Sequence, residues 1–161
     1  MSAFVITRQF KANKQQVFDA WAHAEKMVQW WGPKGFITTA KTFELKPKGI
    51  FHYSFQSNTV GAMWGKFVYQ YIKAPEKMVF NNSFSDEQGN ITRAPFSADW
   101  PLEITNTLTL EEESGITTLT LEGSPVNATP EEQKTFESNL ENMKLGFAGT
   151  FDRLEEFLAK Q

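Results

Sequence analysis

The sequence predicts an α+β domain: a curved antiparallel sheet of six to seven strands wrapped around a long C-terminal helix, with two short helices after the first strand. Three observations predict it. From residue 130 to 158, Phe136, Leu140, Met143, Phe147, Phe151, Leu154 and Leu158 recur at steps of three and four. They form one apolar stripe on a helix of roughly seven or eight turns. Between residues 36 and 125, short runs rich in β-branched and aromatic residues are each ended by Pro, Gly, Asn or Asp, as strands joined by tight turns are. Residues 14 to 31 carry helical spacing that stops at Gly32-Pro33. A long amphipathic helix must lay its stripe on another layer, and the sheet is the only layer this sequence offers.

Taken in order, "FVITRQFKA" alternates and reads as the first strand. Asn13 caps the first helical stretch. Val17, Phe18, Trp21, Met27, Val28 and Trp31 then sit at helical spacing, as two short helices broken near His23-Ala24. "GFITTAKTFEL", "IFHYSFQS", "AMWGKFVYQYIKA" and "MVFNNSFS" are successive strands, separated by "KPKG", "NTVG" and "PEK". Tight turns between them imply an antiparallel meander. "DEQGNITRAPFSADWP" is a long irregular segment, and "LEITNTLTLEEE" with "GITTLTLEG" forms a hairpin turning at Ser114-Gly115. Thr129 caps the last helix, with Pro130 at its first position and acidic residues behind it. No repeat, low-complexity run or linker interrupts residues 1–161, which are read as one domain.

Composition narrows the function classes. The formal net charge is -3, so no basic excess exists to neutralise a phosphate backbone, and nucleic acid is not an expected partner. There is no cysteine, which excludes disulfides, thiolate nucleophiles and cysteine metal sites. Two histidines without a His-Glu-x-x-His pattern give no zinc signature. No glycine-rich phosphate loop follows a strand, and no Gly-x-Ser-x-Gly elbow is present. No cofactor is expected. Neither a signal-peptide run nor a membrane span is visible, so a cytoplasmic protein without a membrane partner is expected. Fifteen Phe and five Trp are many large rings for 161 residues. They pack around each other or around a cavity.

Several stretches resemble a known family. Arg8, the helix Val17-Phe18-Asp19-Ala20-Trp21, the run Trp30-Trp31-Gly32-Pro33 and Phe36 resemble the opening of the activator of heat-shock-protein-90 ATPase homologue-like proteins. These belong to the START-like superfamily, which includes polyketide cyclases and birch-pollen-allergen-type proteins. Pro75 to Phe80 resembles that family's strand-turn-strand with Pro-Glu-x-Leu-Val, and "TTLTLEG" its penultimate strand. The likeness runs over essentially the whole chain. It departs at Lys48-Gly49-Ile50, where the family often has Gly-Gly, and at Gly146-Phe147, where it often has Gly-Trp. The resemblance implies a helix-grip fold with a cavity between sheet and last helix.

That cavity defines the candidate site residues. Of Trp30 and Trp31, either one packs in the core while the other covers a helix end, or one of them, with Trp31 the candidate, walls a pocket mouth. Gly146 and Gly149 each cost roughly 1 kcal/mol inside a helix. Close packing on a sheet aromatic would offset that cost, and so would room for a ligand. The segment 92–102, with Phe96 and Trp100, either folds back on the domain or acts as a lid, with Arg93 available to an anionic head group. His52 is exposed, structurally hydrogen-bonded, or an acid-base group if it faces the cavity. Phe55, Trp64, Phe67, Tyr69, Met143 and Phe147 complete the expected lining, although both faces of several strands are apolar and periodicity does not say which points inward.

Three functions compete. The expected one is a binding module for a small hydrophobic or aromatic molecule, oriented by Arg93, Tyr69, His52 or an indole N–H. The second is a cyclase- or hydrolase-type enzyme on the same cavity, which some members of the superfamily are; only His52 is a candidate for its chemistry, and no catalytic constellation is legible. The third, implied by the family's name, is a co-chaperone acting on the heat-shock ATPase. It ranks last, because proteins with that activity carry a further N-terminal domain. Monomer and homodimer are both compatible with the sequence.

Overall fold

The computed structural model describes residues 3–59 and 61–161. Met1 and Ser2 lie outside them, as does Val60 in the turn expected after the third strand. The described elements run β1 (Phe4–Phe10), α1 (Lys14–Ala22), α2 (Ala24–Trp30), β2 (Ile37–Phe43), β3 (Ile50–Gln56), β4 (Met63–Lys73), β5 (Lys77–Ser85), β6 (Ile91–Thr92), β7 (Ile104–Glu113), β8 (Ile116–Pro125), α3 (Pro130–Ser138) and α4 (Leu140–Ala159). Seven long strands form one antiparallel sheet in the order β1-β8-β7-β5-β4-β3-β2. This is the expected α+β helix-grip architecture. The two-residue β6 lies inside the segment expected to be irregular. It pairs with Phe84 and Ser85, whereas β7 pairs with Lys77 to Asn82 of the same strand. The neighbour of β5 therefore changes at Ser83.

Local signals explain the helices. Asn13 accepts the Gln16 backbone N–H at 2.8 Å while the Gln16 side chain accepts the Asn13 N–H at 3.1 Å, a complete capping box. His23, with φ -132 and ψ 133, ends α1 and starts α2. Gly32 then turns the chain at φ +118. A Cβ there would meet Phe55 Cε1 and Thr38 Oγ1 at 2.8 Å, so only glycine fits.

The last helix differs from expectation. It is two helices, α3 and α4, parted at Asn139 (φ -110, ψ 10). The Asn139 side chain donates to the Thr135 carbonyl at 2.8 Å, and its backbone N–H bonds the Phe136 carbonyl at 3.1 Å in a tightened turn. A short polar side chain that competes for its own backbone parts the helix here. The apolar spacing continues across the break, so the stripe did not reveal it.

Two buried clusters fill the space between sheet and helices. The larger joins Val17, Trp21, Trp30, Phe67, Phe80 and Phe151 with their neighbours. The smaller joins Phe4, Ala94, Trp100 and Phe136. Ile6 and Phe147 touch both. Gly146 and Gly149 serve neither expected purpose: a Cβ on Gly146 would meet nothing within 4 Å, and one on Gly149 only Lys34 Cγ at 3.9 Å. Gly146 is exposed and Gly149 half-buried.

Candidate functional site: a cleft between the sheet and the last helices

Beside the smaller cluster the sheet and helices separate. A cleft of about 360 Å³ opens between Ile104, Asn106 and Gly123 of the sheet and Phe136, Met143 and Phe147 of the helices. Phe96 and Trp100, on the loop between β6 and β7, border it as well. A lesser lobe of about 140 Å³ continues past Asn82, Phe84, Trp100 and Ile104, which border both spaces, to Trp31, Tyr53 and Phe55.

Each wall has a local cause. Phe80 pairs with Asn106, and Asn82 with Ile104, across β5 and β7. Phe80 is core, so alternation turns Asn106, Asn82 and Ile104 toward the helices as well. Asn106 Nδ2 donates to Asn82 Oδ1 at 2.8 Å and to the Ile104 carbonyl at 3.2 Å. Trp100 is buried, and its ring lies 5.7 Å from Phe136. Phe96 is 63% exposed yet still stands 5.6 Å from Trp100 and 5.7 Å from Phe84. A continuous series of rings therefore runs from β5 over the loop to α3.

That loop is pinned. Arg93 Nη1 donates to the Trp100 carbonyl at 3.1 Å and pairs with the Glu132 carboxylate. Glu132 also completes the capping box of α3, accepting the Thr129 N–H at 2.9 Å. The Thr129 backbone N–H, then the Arg93 guanidinium, holds the Glu132 carboxyl below its ordinary value. In the lesser lobe, burial pushes the Tyr53 phenol well above its usual value, against the opposing influence of the Trp31 and Asn82 side chains. The Tyr53 ring lies on Gly65, where a Cβ would meet its hydroxyl at 2.8 Å.

The expected site residues divide into groups. Trp31, Phe55, Phe96, Trp100, Met143 and Phe147 border the cleft or its lobe. Of the tryptophan pair, Trp30 is fully buried with its indole N–H on the Ala20 carbonyl at 3.0 Å, and Trp31, also buried in the larger cluster, borders the lesser lobe. Phe67 and Tyr69 lie instead in the larger cluster, where Phe67 stacks on Phe80 with ring centres 4.1 Å apart. The Tyr69 hydroxyl is buried without a hydrogen-bond partner among the described residues. His52 lies on the outer face of the sheet, because Phe51 and Tyr53 on either side of it fill the core. It is buried there under the 86–90 turn, its Nε2 3.1 Å from the Asp86 carbonyl oxygen. Trp64 borders the lesser lobe, but its ring lies tilted against His52 at 5.0 Å, with Lys41 Nζ 5.5 Å from the ring centre. The Arg93 charge is committed to Glu132.

Sequence reasoning missed Asn82, Phe84, Ile104, Asn106 and Phe136. A usable signal existed for two of them. Asparagine is depleted in strands, and Asn82 and Asn106 both fall well inside strand-like runs. Among the described residues no group of three or more His, Asp or Glu is placed to hold a metal ion. No helix among them is long and apolar enough to cross a membrane.

Comparison with known proteins agrees with the fold. The family model described as "Activator of Hsp90 ATPase homolog 1-like protein" matches residues 11–159. A solution structure of a protein from Arthrobacter aurescens is similar over 99% of this chain and 87% of its own, with TM-score 0.81 and 23% identity. A crystal structure of protein Ms6760 from Mycobacterium smegmatis is similar over 98% and 91%, with TM-score 0.79 and 19% identity. A Staphylococcus epidermidis protein reaches TM-score 0.77 at 24% identity, over 98% and 90%. Likeness at these identities is likeness of fold. No curated protein matches the sequence. The chain belongs to the activator of Hsp90 ATPase homolog 1-like family.

Proposed function

We propose that this protein binds a small, largely apolar molecule in the cleft between its sheet and its last two helices. The observation that carries the reading is the cleft itself, about 360 Å³ bordered by Trp100, Phe136, Met143 and Phe147, with the carboxamides of Asn82 and Asn106 among them. Small-molecule sites are concave, mostly apolar and supplied with few polar groups, in volumes of about 300–1,000 Å³. The neighbouring larger cluster supports the reading by contrast, since at its centre Phe67 stacks on Phe80 at 4.1 Å. The lining offers shape and carboxamides rather than a general acid or base, which favours retention of a ligand over its conversion.

Native mass spectrometry of protein purified gently from its own host, followed by extraction of anything bound, tests this. A stoichiometric apolar companion is the expected result, with saturable binding of the neutral dye Nile red to protein stripped of it. Bare protein that also leaves Nile red unbound overturns the reading.

A further inference from the structure

We infer that the cleft selects an uncharged, fused-ring aromatic molecule carrying a hydrogen-bond donor, and that Asn106 Oδ1 receives that donor. The inference rests on the reading of the cleft as a small-molecule site and adds its chemical class.

Charge comes first. Among the described residues, no Asp, Glu, Lys, Arg or His borders the cleft or its lesser lobe. Arg93, the cation on the loop above, is held by Glu132 and the Trp100 carbonyl. An ionised ligand would give up its hydration and meet no counter-charge, which is costly. A neutral one meets no such penalty.

Four carboxamides border the cleft, Asn82, Asn106, Asn139 and Asn142, and of these only Asn106 is buried, at 5% exposed. Both of its amide protons are engaged, one by Asn82 Oδ1 at 2.8 Å and one by the Ile104 carbonyl at 3.2 Å. The Ile104 carbonyl, which can only accept, fixes which way the amide faces, because turning it over would set Oδ1 against that oxygen. Oδ1 has no donor among the described residues. It lies beside Gly123, 3.0 Å from where a Cβ would stand, and both residues border the cleft. A carbonyl oxygen left open to the cleft beside apolar walls is best met by an occupant that brings a donor.

Shape supplies the rings. Phe4 stacks on Phe147 at 5.3 Å along one side, and Trp100 stands by Phe136 on another. An engineered cavity of about 150 Å³ admits one benzene. The main space here, about 360 Å³, suits a fused-ring system.

Three naphthalenes separate the possibilities: 2-naphthol, 2-methoxynaphthalene and, as the anion, 2-naphthoate at pH 7. Each is titrated calorimetrically into ligand-free protein. Naphthol is expected to bind about tenfold more tightly than the ether, and at least about tenfold more tightly than naphthoate. In N106L, its fold checked by circular dichroism, the advantage over the ether disappears while ether binding persists. Equal binding of naphthol and ether, or tightest binding of naphthoate, overturns the ligand class and leaves the cleft as a binding site. A naphthol preference that survives in N106L overturns the role of Asn106. Should N106L not fold, the three-probe ranking on the unsubstituted protein decides the class. Failure of all three probes and of Nile red overturns this inference and the proposed function together.

Discussion

The two buried clusters use the same kinds of side chain and fill space differently. In the larger, Phe67 lies flat on Phe80 at 4.1 Å, Trp21 meets Trp30 at 4.8 Å, and Trp31 meets Phe67 at 5.1 Å. In the smaller, Phe4 stacks on Phe147 at 5.3 Å and Trp100 stands 5.7 Å from Phe136, and all four rings border the cleft. Aromatic content alone therefore does not decide whether a sheet-and-helix seam is solid or hollow. The backing does. Around the larger cluster, α1, α2 and α4 all press on the sheet. Around the smaller one, β7 leaves β5 beyond Asn82, the helix breaks at Asn139, and a pinned loop covers what remains.

Truncation sharpens the contrast most. Phe67→Ala removes a fully buried ring from close-packed neighbours and is expected to cost about 3–5 kcal/mol in denaturant unfolding. Met143→Ala, at the edge of existing space, removes contacts on one side only and is expected to cost about 1–2 kcal/mol. Equal losses would mean that the cleft end is as tightly packed as the other. Enlargement runs the opposite way. Leu108→Phe forces an extra ring into the full cluster and is expected to cost about 1–3 kcal/mol. Met143→Phe has the cleft to grow into. It should leave stability within about 0.5 kcal/mol while weakening Nile red binding about tenfold.

How much of this was legible in the sequence depends on which constraint acted. Caps and glycine turns are local, so Asn13, His23, Gly32 and Thr129 were readable. The stripe from Phe136 to Leu158 located the helical face. The break at Asn139 was hidden because its cause is one side chain competing for a carbonyl, which leaves the apolar period unchanged. The inward face of β3 was hidden for a different reason. Phe51 and Tyr53 point in, but His52 opposite them is also buried, by a turn some thirty residues further along the chain. Burial by a distant loop has no signature in alternation, so His52 and Trp64 were expected at the site and face away from its centre. Phe67 and Tyr69, expected in the lining, lie in the other cluster.

The same distinction yields a gain in stability. Gly146 lies on the face of α4 where neither cluster reaches, and an added Cβ meets nothing within 4 Å. Gly146→Ala should stabilise by just under about 1 kcal/mol, the helix-propensity difference alone. Thermal and denaturant unfolding check it. Nile red affinity should not change, since the residue borders neither space. A loss of stability would mean that the bare backbone at Gly146 serves a contact.

The smallest expected effect tests what closes the hollow end. Glu132→Gln keeps an N3 side chain able to complete the capping box with Thr129, but removes the charge that meets Arg93. The pair is half open to solvent on the arginine side, so the cost at neutral pH is expected to be only about 0.5 kcal/mol. Its pH dependence is more diagnostic. The folded-state carboxyl of Glu132 is held below its ordinary value, first by the Thr129 N–H and then by Arg93. Its contribution is therefore fully present above the unfolded-state value of about 4.3 and is lost as pH falls through the lower folded value. Glu76, Asp86 and Asp152 are depressed too, so acid weakens both proteins, and the difference between them carries the information. That difference should shrink toward zero below about pH 4. A constant gap down to about pH 3 would mean that the substitution acts through helix geometry, and that the loop bearing Phe96 and Trp100 is held by packing on Phe84 and Phe136 rather than by the ion pair.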